Sequence, residues 1–489
     1  MQLERHSVEQ KLENRFDLFT DSMSRETGAD FNGRWRGAVA VLSLAFLVLM
    51  DAPAYAAKEN MTAREDYIQA PLPAGFQVLV TEIEGPVFAD ANGRTLYKWP
   101  RRDLRVGTVG DVEFKASCGD QIFRETAGSM SPYPPGFELP EADTRPSCNQ
   151  VWPPVLASDN AKPVDKWTVI DRPDGRKQWA YAGAPLYTSF LDKKPGDVLG
   201  ASKTPASVDE GAPREPVGPE ANVPFQFSVD TTKLGRLVSL RNGKSVYTYD
   251  LDSRHKSNCA GACMDGWAPV LSADYARPVG DWTTFERSPG VKQWAFKGMP
   301  VYEHLQDSKL LSLDGGDIAH WRNVYTQKAP LPPAGFVVKE TSVGLVLGDE
   351  RGRTIYMYSC LDDSFDHQLC DHPDAPQAYR FAMCGNGDPD QCLKAFPYVI
   401  ARAGAKSGSA TWSTMYINPK TGKRAQSSDP GALNVWAYRG RPVYTFAGRN
   451  GYGDETPLDL KAQNWGEFNG RWNGYRAIIY RDLYGRRDL

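Results

Sequence analysis

The chain has 489 residues, which is too long for one ordinary hydrophobic core and predicts several domains. Gly and Pro number 44 and 36, and aromatic residues make up 11% of the chain, a composition typical of a turn-rich β protein. The formal net charge of −3 leaves no excess of Lys and Arg to neutralise a polyanion, so we predict no nucleic-acid partner.

The N-terminal region predicts an export signal. Arg34 and Arg36 precede an apolar run over residues 37–50, and small residues follow up to Ala56. This run is too short to span a bilayer comfortably and is typical of the apolar core of a signal peptide. We predict a leader over residues 1–56 that is cleaved after Ala56, and a periplasmic or secreted protein that does not span the membrane. An uncleaved membrane anchor is the alternative. The long polar segment before Arg34 indicates either a start of translation at Met23 or an extended N-terminal region of the signal peptide.

An internal repeat dominates the rest of the chain. One ten-residue pattern occurs three times, as QWAYAGAPLY (Gln178–Tyr187), QWAFKGMPVY (Gln293–Tyr302) and VWAYRGRPVY (Val435–Tyr444). Further matching segments upstream of each pattern define three copies. We place copy 1 at residues 69–202, copy 2 at 225–328 and copy 3 at 329–482. A Pro- and Gly-rich linker at 203–224 separates copies 1 and 2, which favours separate or loosely packed copies.

Each copy divides into two related halves. An aliphatic residue followed by Tyr opens a strand six times, shortly after a Gly. The six residues are Tyr97, Tyr187, Tyr247, Tyr302, Tyr356 and Tyr444. Such Gly residues are typical of hairpin turns, and Pro is tolerated at the first residue of a strand. We predict an all-β fold of three tandem disulfide-containing repeats, each of two hairpin-based half-repeats, with a six-bladed β-propeller-like array as the alternative.

The eight cysteines predict disulfides, because an even number is typical of an exported protein. One Cys in each copy stands four residues before an aromatic residue, and the alignment pairs it with the Cys upstream. The predicted bridges shared by the copies are Cys118–Cys148, Cys259–Cys263 and Cys384–Cys392. A fourth, Cys360–Cys370, is predicted in copy 3 only. Because His367 and His372 flank Cys370, a metal site is the alternative there. No Cys lies in Cys-x-x-Cys-His, so we predict no c-type haem.

These motifs resemble a family of secreted or lipoprotein repeats of unknown function, marked by Tyr-x-[Phe/Trp/Tyr]-x-x-Asp. Copy 2 has the whole motif in Tyr247, Tyr249 and Asp252. In copies 1 and 3 the Asp falls one place late, at Asp103 and Asp362. The resemblance covers about residues 69–480 and implies no activity, because the family has none assigned. No lipid-accepting Cys follows the leader.

The aromatic pairs of this motif are candidate ligand-binding residues. They could form a stacking platform for sugars, or they could be cross-strand packing, which is the interpretation we favour. The candidates are Tyr97, Trp99, Tyr247, Tyr249, Asp252, Tyr356 and Tyr358. The Asp could bind a cation or a Tyr hydroxyl, although an Asp at this position more often makes a turn.

A copper site is a second hypothesis, because imidazole and thioether ligands suit copper. The candidates are His255, Met264, Met299 and His304 of copy 2. We predict no other cofactor.

The chain has no recognisable nucleophile, metalloprotease or phosphate-binding motif, which favours a protein that is not an enzyme. The leading hypothesis is an exported non-enzymatic repeat protein that binds a partner or ligand in the periplasm. A more specific version of this hypothesis is an accessory to exported redox proteins. The alternatives are a glycan- or envelope-binding protein that uses aromatic faces, and a hydrolase with a cryptic carboxylate site.

Overall fold

In the computed structural model of the protein, the described residues are 65–98, 102–104, 107–109, 113–121, 146–201, 215–341, 344–360, 371–385, 387–447, 465–468 and 471–482. They lie in one compact unit, Glu59–Leu489. The predicted leader and its cleavage site lie outside the described residues.

The described part of the chain is mostly β-strand. Copy 1 contains β1 (Phe76–Thr81), β2 (Gly85–Asp90), β3 (Tyr97–Lys98), β4 (Arg102–Leu104), β5 (Gly107–Val109), β6 (Trp167–Asp171), β7 (Lys177–Tyr181), β8 (Ala184–Pro185) and β9 (Glu215–Pro216). Copy 2 contains β10 (Phe227–Thr232), β11 (Gly235–Leu240), β12 (Tyr247–Tyr249), β13 (Trp267–Pro269), β14 (Trp282–Ser288), β15 (Val291–Phe296), β16 (Met299–His304), β17 (Trp321–Asn323) and β18 (Tyr325–Lys328). Copy 3 contains β19 (Val337–Thr341), β20 (Gly344–Gly348), β21 (Tyr356–Cys360), β22 (Trp412–Ile417), β23 (Leu433–Tyr438), β24 (Arg441–Tyr444), β25 (Trp465–Phe468), β26 (Arg471–Ala477) and β27 (Ile479–Asp482). The helices are α1 (Cys148–Val151), α2 (Ala378–Gly385) and α3 (Pro389–Ala395), with 3-10 turns at Gly261–Met264 and Asp314–Asp317.

Each first half-repeat is an antiparallel hairpin completed by two further segments. The hairpins are β1–β2, β10–β11 and β19–β20. In copy 2, a closed cycle of backbone hydrogen bonds joins three buried Val residues: Val238 donates to Val324, Val324 to Val246, and Val246 to Val238, at 2.9, 2.9 and 3.2 Å. The equivalent cycles join Phe88, Val217 and Leu96 in copy 1, and Leu347, Ile478 and Ile355 in copy 3. The aliphatic residue before each Tyr therefore lies in the core.

The second half-repeats use the same arrangement. In copy 1, Val155 donates to Leu186, Leu186 to Trp179, and Trp179 to Val155, at 2.9, 3.0 and 2.8 Å. The turn between β7 and β8 has positive φ at both Ala182 (48°) and Gly183 (82°), as a two-residue type I′ hairpin turn requires. The corresponding turns are Lys297-Gly298 and Arg439-Gly440, again with positive φ at both residues. The repeated ten-residue pattern is therefore a hairpin, as predicted.

The two halves of each copy join through a pair of tyrosines on neighbouring antiparallel segments. The pairs are Tyr97 with Tyr187, Tyr247 with Tyr302, and Tyr356 with Tyr444. In copies 2 and 3 this pairing merges strands of both halves into one six-stranded sheet. The structure thus confirms the all-β fold of three two-part repeats. The propeller alternative expects each half-repeat to form its own sheet, whereas in copies 2 and 3 strands of both halves share one.

The three copies pack against one another, so the expectation of separate or loosely packed copies is wrong. The turn after β1 inserts into copy 3, where Ile83 is 3% exposed and lies in a cluster with Trp412 and Tyr438. Beside it, Glu84 forms an ion pair with Arg439. Gln327 of copy 2 donates to the carbonyl oxygen of Thr81 at 2.6 Å. Apolar burial and satisfied polar groups therefore hold the copies together.

Part of the predicted linker belongs to copy 1. Residues 202–214 lie outside the described residues, but β9 pairs with β3. Val217 then completes the backbone cycle of the first half-repeat and is 4% exposed. Copy 1 therefore extends beyond residue 202, because its hairpin needs this segment, as copy 2 needs β18 and copy 3 needs β27.

Candidate functional site

The first Tyr of each predicted aromatic pair is a core residue. Tyr97 and Tyr247 have no exposed surface, and Tyr356 is 2% exposed. Tyr249 is only partly buried and lies 4.7 Å from Trp321, measured between ring centroids. Tyr358 is also buried, with its ring 5.5 Å from that of Tyr475, and Trp99 lies outside the described residues. The rings are placed as the packing interpretation requires, and the buried ones offer no face to a ligand.

The hydroxyl groups of the paired tyrosines bond to carboxylates in a crossed arrangement. In copy 2, Tyr247 of the first half donates to Asp307 of the second half at 2.7 Å. Tyr302 of the second half donates to Asp252 of the first half at 2.6 Å. Each Asp stands five residues after the Tyr of its own half and is the hydrogen-bond acceptor for the Tyr of the opposite half. The arrangement ties the two halves together twice.

Copy 1 contains one bond of the same kind, from Tyr97 to Asp192 at 2.8 Å. Asp192 and Asp307 were not among the residues predicted from the sequence, because the motif was sought only after the first Tyr of each copy. The spacing was visible, since each follows the second Tyr of its copy by five residues. The side chain of Asp103 and the whole of Asp362 lie outside the described residues.

Burial changes the protonation of these groups. Loss of solvent raises the pKa of Asp192 to about 8, so this carboxyl is mostly protonated at neutral pH. Burial also raises the pKa of Asp252 above its ordinary value, and burial together with the Asp252 contact raises that of Tyr302 to about 12. The phenols therefore remain neutral donors throughout the physiological range. This constellation keeps buried polar groups satisfied, and we assign it a structural role.

The four copper candidates have other partners in the structure. His255 bonds through Nε2 to Thr283 Oγ1 at 2.9 Å, and His304 bonds through Nδ1 to Asp307 Oδ1 at 2.9 Å. Arg287 donates to the Met264 sulfur at 3.4 Å. Met299, the fourth candidate, begins β16. Among the described residues no three His, Cys, Asp or Glu side chains are grouped to hold a metal ion. The copper site stays a prediction.

Three disulfides lie beside the tyrosine pairs. The structure joins Cys118 to Cys148, Cys259 to Cys263, and Cys384 to Cys392, the three shared bridges that the repeat alignment predicts. Cys370 and His367 both lie outside the described residues, so the structure does not describe the fourth predicted bridge. His372 of the alternative metal site is 1% exposed, and burial lowers its pKa well below the ordinary value.

An arginine clamp accompanies the bridge in copies 1 and 2, and the sequence analysis missed it. In copy 2, Arg287 donates to the carbonyl oxygen of Cys259 and to the side chain of Gln293, both at 2.9 Å. In copy 1, Arg172 makes the same two bonds to Cys118 and Gln178. The signal was an Arg and a Gln at equal spacing in both copies.

The described structure has a cleft of about 740 Å³ in copy 1, which we call cleft 1. Its lining includes the Ala74-Gly75-Phe76 segment, the turn from Asp90 to Arg94, the segment from Pro153 to Leu156, and Trp179. Gly75 has a φ of 91°, which a side chain would strain, and a Cβ there would meet no atom within 4 Å. The size is that of small-molecule sites in proteins.

Copy 3 has a second cleft, of about 390 Å³, which we call cleft 3. Each lining residue of cleft 3 aligns with a lining residue of cleft 1, whereas the lining of cleft 1 extends further, for example to Gly75 and Lys162. The matched pairs are Phe76 and Phe336, Asp90 and Asp349, Arg94 and Arg353, Pro154 and Tyr398, Leu156 and Ile400, Ser158 and Arg402, and Trp179 and Trp436. Leu156 and Ile400 are 47% and 56% exposed, which places them at the open rims.

Copy 2 differs at the same place. Gln226 stands where copies 1 and 3 have Gly75 and Gly335, and its side chain accepts a 3.0 Å hydrogen bond from the indole of Trp294. Phe225 lies 4.0 Å from the Arg241 guanidinium. Copy 2 therefore has two large side chains in place of the small Ala-Gly pair. Gln226 bonds to the Trp, whereas Phe225 is 82% exposed.

Two segments of the chain, residues 168–204 and 228–271, match the model of a family described as a secreted repeat of unknown function. Each matched segment includes a Tyr and an Asp five residues apart, Tyr187 with Asp192 and Tyr247 with Asp252. No curated protein and no solved structure matches the chain. None of the helices in the described part of the chain is long and apolar enough to cross a membrane.

Proposed function

We propose that this secreted repeat protein is a non-enzymatic periplasmic binding protein whose ligand sites are cleft 1 and cleft 3. The observation that carries the proposal is that two copies build a cleft from the same structural positions, while in copy 2 the larger Gln226 replaces the Gly and bonds to the Trp. Packing alone does not require an open cleft, since copy 2 folds without small residues there.

The surroundings of the clefts support binding over catalysis. The walls combine aromatic and aliphatic side chains with a few polar groups, as ligand sites do. In cleft 1 the only carboxylate is Asp90, and it is engaged by Arg94 at 2.7 Å and by the backbone N–H of Asn92 at 2.9 Å. Both oxygens of this carboxylate are engaged by protein groups, and the lining of cleft 1 has no second carboxylate to act with it.

The test is a ligand screen with variants at the rims. We would measure binding of peptidoglycan fragments, neutral and acidic oligosaccharides and acidic peptides by tryptophan fluorescence and ligand-observed NMR. The double variant Leu156→Glu/Ile400→Glu is expected to weaken binding at least tenfold. The matched control is Leu271→Glu at the same position of copy 2, where the side chain is 48% exposed.

Loss of binding in the double variant with retention in the control would support the proposal. Binding that survives the double variant, or that Leu271→Glu removes equally, would overturn it. Failure of every compound to bind the unmodified protein would also count against it. Circular dichroism checks that each variant is folded.

A further inference from the structure

Both clefts carry an uncompensated positive charge. In cleft 1 the charged lining residues are Asp90, Arg94 and Lys162, which is two cations against one carboxylate. Asp90 Oδ2 binds Arg94, and its Oδ1 accepts the backbone N–H groups of Asn92 and Arg94, each at 2.9 Å. This carboxylate has no capacity left to neutralise Lys162, which is exposed and makes no ion pair with a described residue.

The lining of cleft 3 has the same net charge as that of cleft 1. Its carboxylates are Asp349, which binds Arg353 at 2.7 Å, and Glu350, which binds Arg402. The third lining cation, Arg351, is exposed and makes no ion pair with a described residue. One positive charge is again left over, so both clefts keep the same Asp–Arg pair and add a surplus cation at different positions.

The remaining lining of cleft 1 is of two kinds. Phe76, Pro154 and Leu156 supply apolar surface. Asn92 and Asn160 supply exposed amide groups that both donate and accept hydrogen bonds, and their side chains bond to no described residue. A complementary ligand has apolar faces, groups that both donate and accept, and a negative charge. Sugar rings with carboxylates combine all three, because their C–H faces are apolar and their hydroxyls donate and accept.

We infer that the ligand of both clefts is an acidic glycan, a chain of sugar rings that carries carboxylates. This inference rests on the proposed function and names the ligand class of the same sites. An acidic peptide would match the charge, but its flexible chain would lose more entropy on binding than a chain of rigid sugar rings.

The experiment compares two probes that differ only in charge. Oligogalacturonate and its fully methyl-esterified form are titrated into the full-length exported protein at low and high salt, with calorimetry as the readout. We expect the acid to bind at least fivefold more tightly than the ester at low salt and to lose this advantage at high salt, because exposed charges are screened.

Charge-removing variants identify the residues. Lys162→Ala/Arg351→Ala is expected to remove the preference for the acid while leaving the weak binding of the ester. The matched control is Arg277→Ala, the position in copy 2 that aligns with Lys162 and is also exposed. Equal binding of acid and ester, an unchanged preference in the double variant, or tighter binding of an acidic peptide would overturn the inference. In each of these cases the proposed function would stand if the rim variants still abolished binding.

Discussion

Replacing Asp192 by Asn should change how the stability of the protein depends on pH. Asp192 is 6% exposed, and its two oxygens accept from the Tyr97 hydroxyl at 2.8 Å and from the Leu199 N–H at 2.9 Å. Burial raises its pKa from the ordinary 3.8 to about 8. Between these values the folded protein holds a proton that the unfolded chain releases.

The sign follows from proton linkage. The raised pKa contributes stability that is fully present below about pH 4 and is lost as the pH rises to about 8. The free energy of unfolding should fall by about 1.4 kcal/mol per pH unit in this window because of this one group. Asn is neutral at every pH, so Asp192→Asn should remove that part of the slope, and from pH 5 to pH 8 the variant should gain on the order of 4 kcal/mol relative to the unmodified protein.

The assay is guanidinium denaturation at pH 5, 6, 7 and 8, followed by tryptophan fluorescence. The matched control is Asp274→Asn, because the side chain of Asp274 is 85% exposed and pairs only with Lys292 across 3.7 Å. The control should run parallel to the unmodified protein at every pH. If the profile of Asp192→Asn is parallel as well, Asp192 is ionised in the folded state and our account of the buried carboxyl is wrong.

Two further predictions concern stability. Removing Cys118–Cys148 should cost more than removing Cys259–Cys263, because the bridges span 30 and 4 residues, and loop entropy gives about 3.6 and about 1.9 kcal/mol; equal losses in denaturant titrations of the paired Ala variants would contradict this. Ile83→Ala should lower the free energy of unfolding by about 2–5 kcal/mol, since Ile83 is buried against copy 3. Val338→Ala, at a 52% exposed position, should change it by less than about 0.5 kcal/mol in the same titration.

Local structure could be predicted from the sequence because turns and strands impose their requirements on adjacent residues. A type I′ turn needs positive φ, so Gly183 and its equivalents recur at fixed spacing. The shared disulfides could be aligned because each lies just before a core aromatic residue. Cysteine pairing across 30 residues in copy 1 was predictable only because copies 2 and 3 repeat it with shorter loops.

The candidate site was less predictable, because it depends on residues that are distant in the chain. Nothing in the order of residues indicates that Tyr97 bonds to Asp192, which lies 95 positions later. Cleft 1 likewise brings together Gly75 and Trp179, which are distant in the chain. Nothing in the sequence indicates that they line one cleft. The aromatic residues of the motif were candidate binding residues because they recur in every copy. Residues needed for packing recur in the same way, so repetition alone does not distinguish the two roles.

Copy 3 shows most clearly which features the sequence determines and which depend on the tertiary structure. The sequence by itself determined the three copies, their halves, the hairpins and the shared bridges. The alignment also places Ile417 and Val435 of copy 3 where copies 1 and 2 have the Arg and Gln of the clamp. Only the tertiary structure shows that Arg380 of α2 enters this core and donates to Tyr398 and Tyr475. A buried cation needs hydrogen-bond partners in three dimensions, and its position along the chain does not specify them.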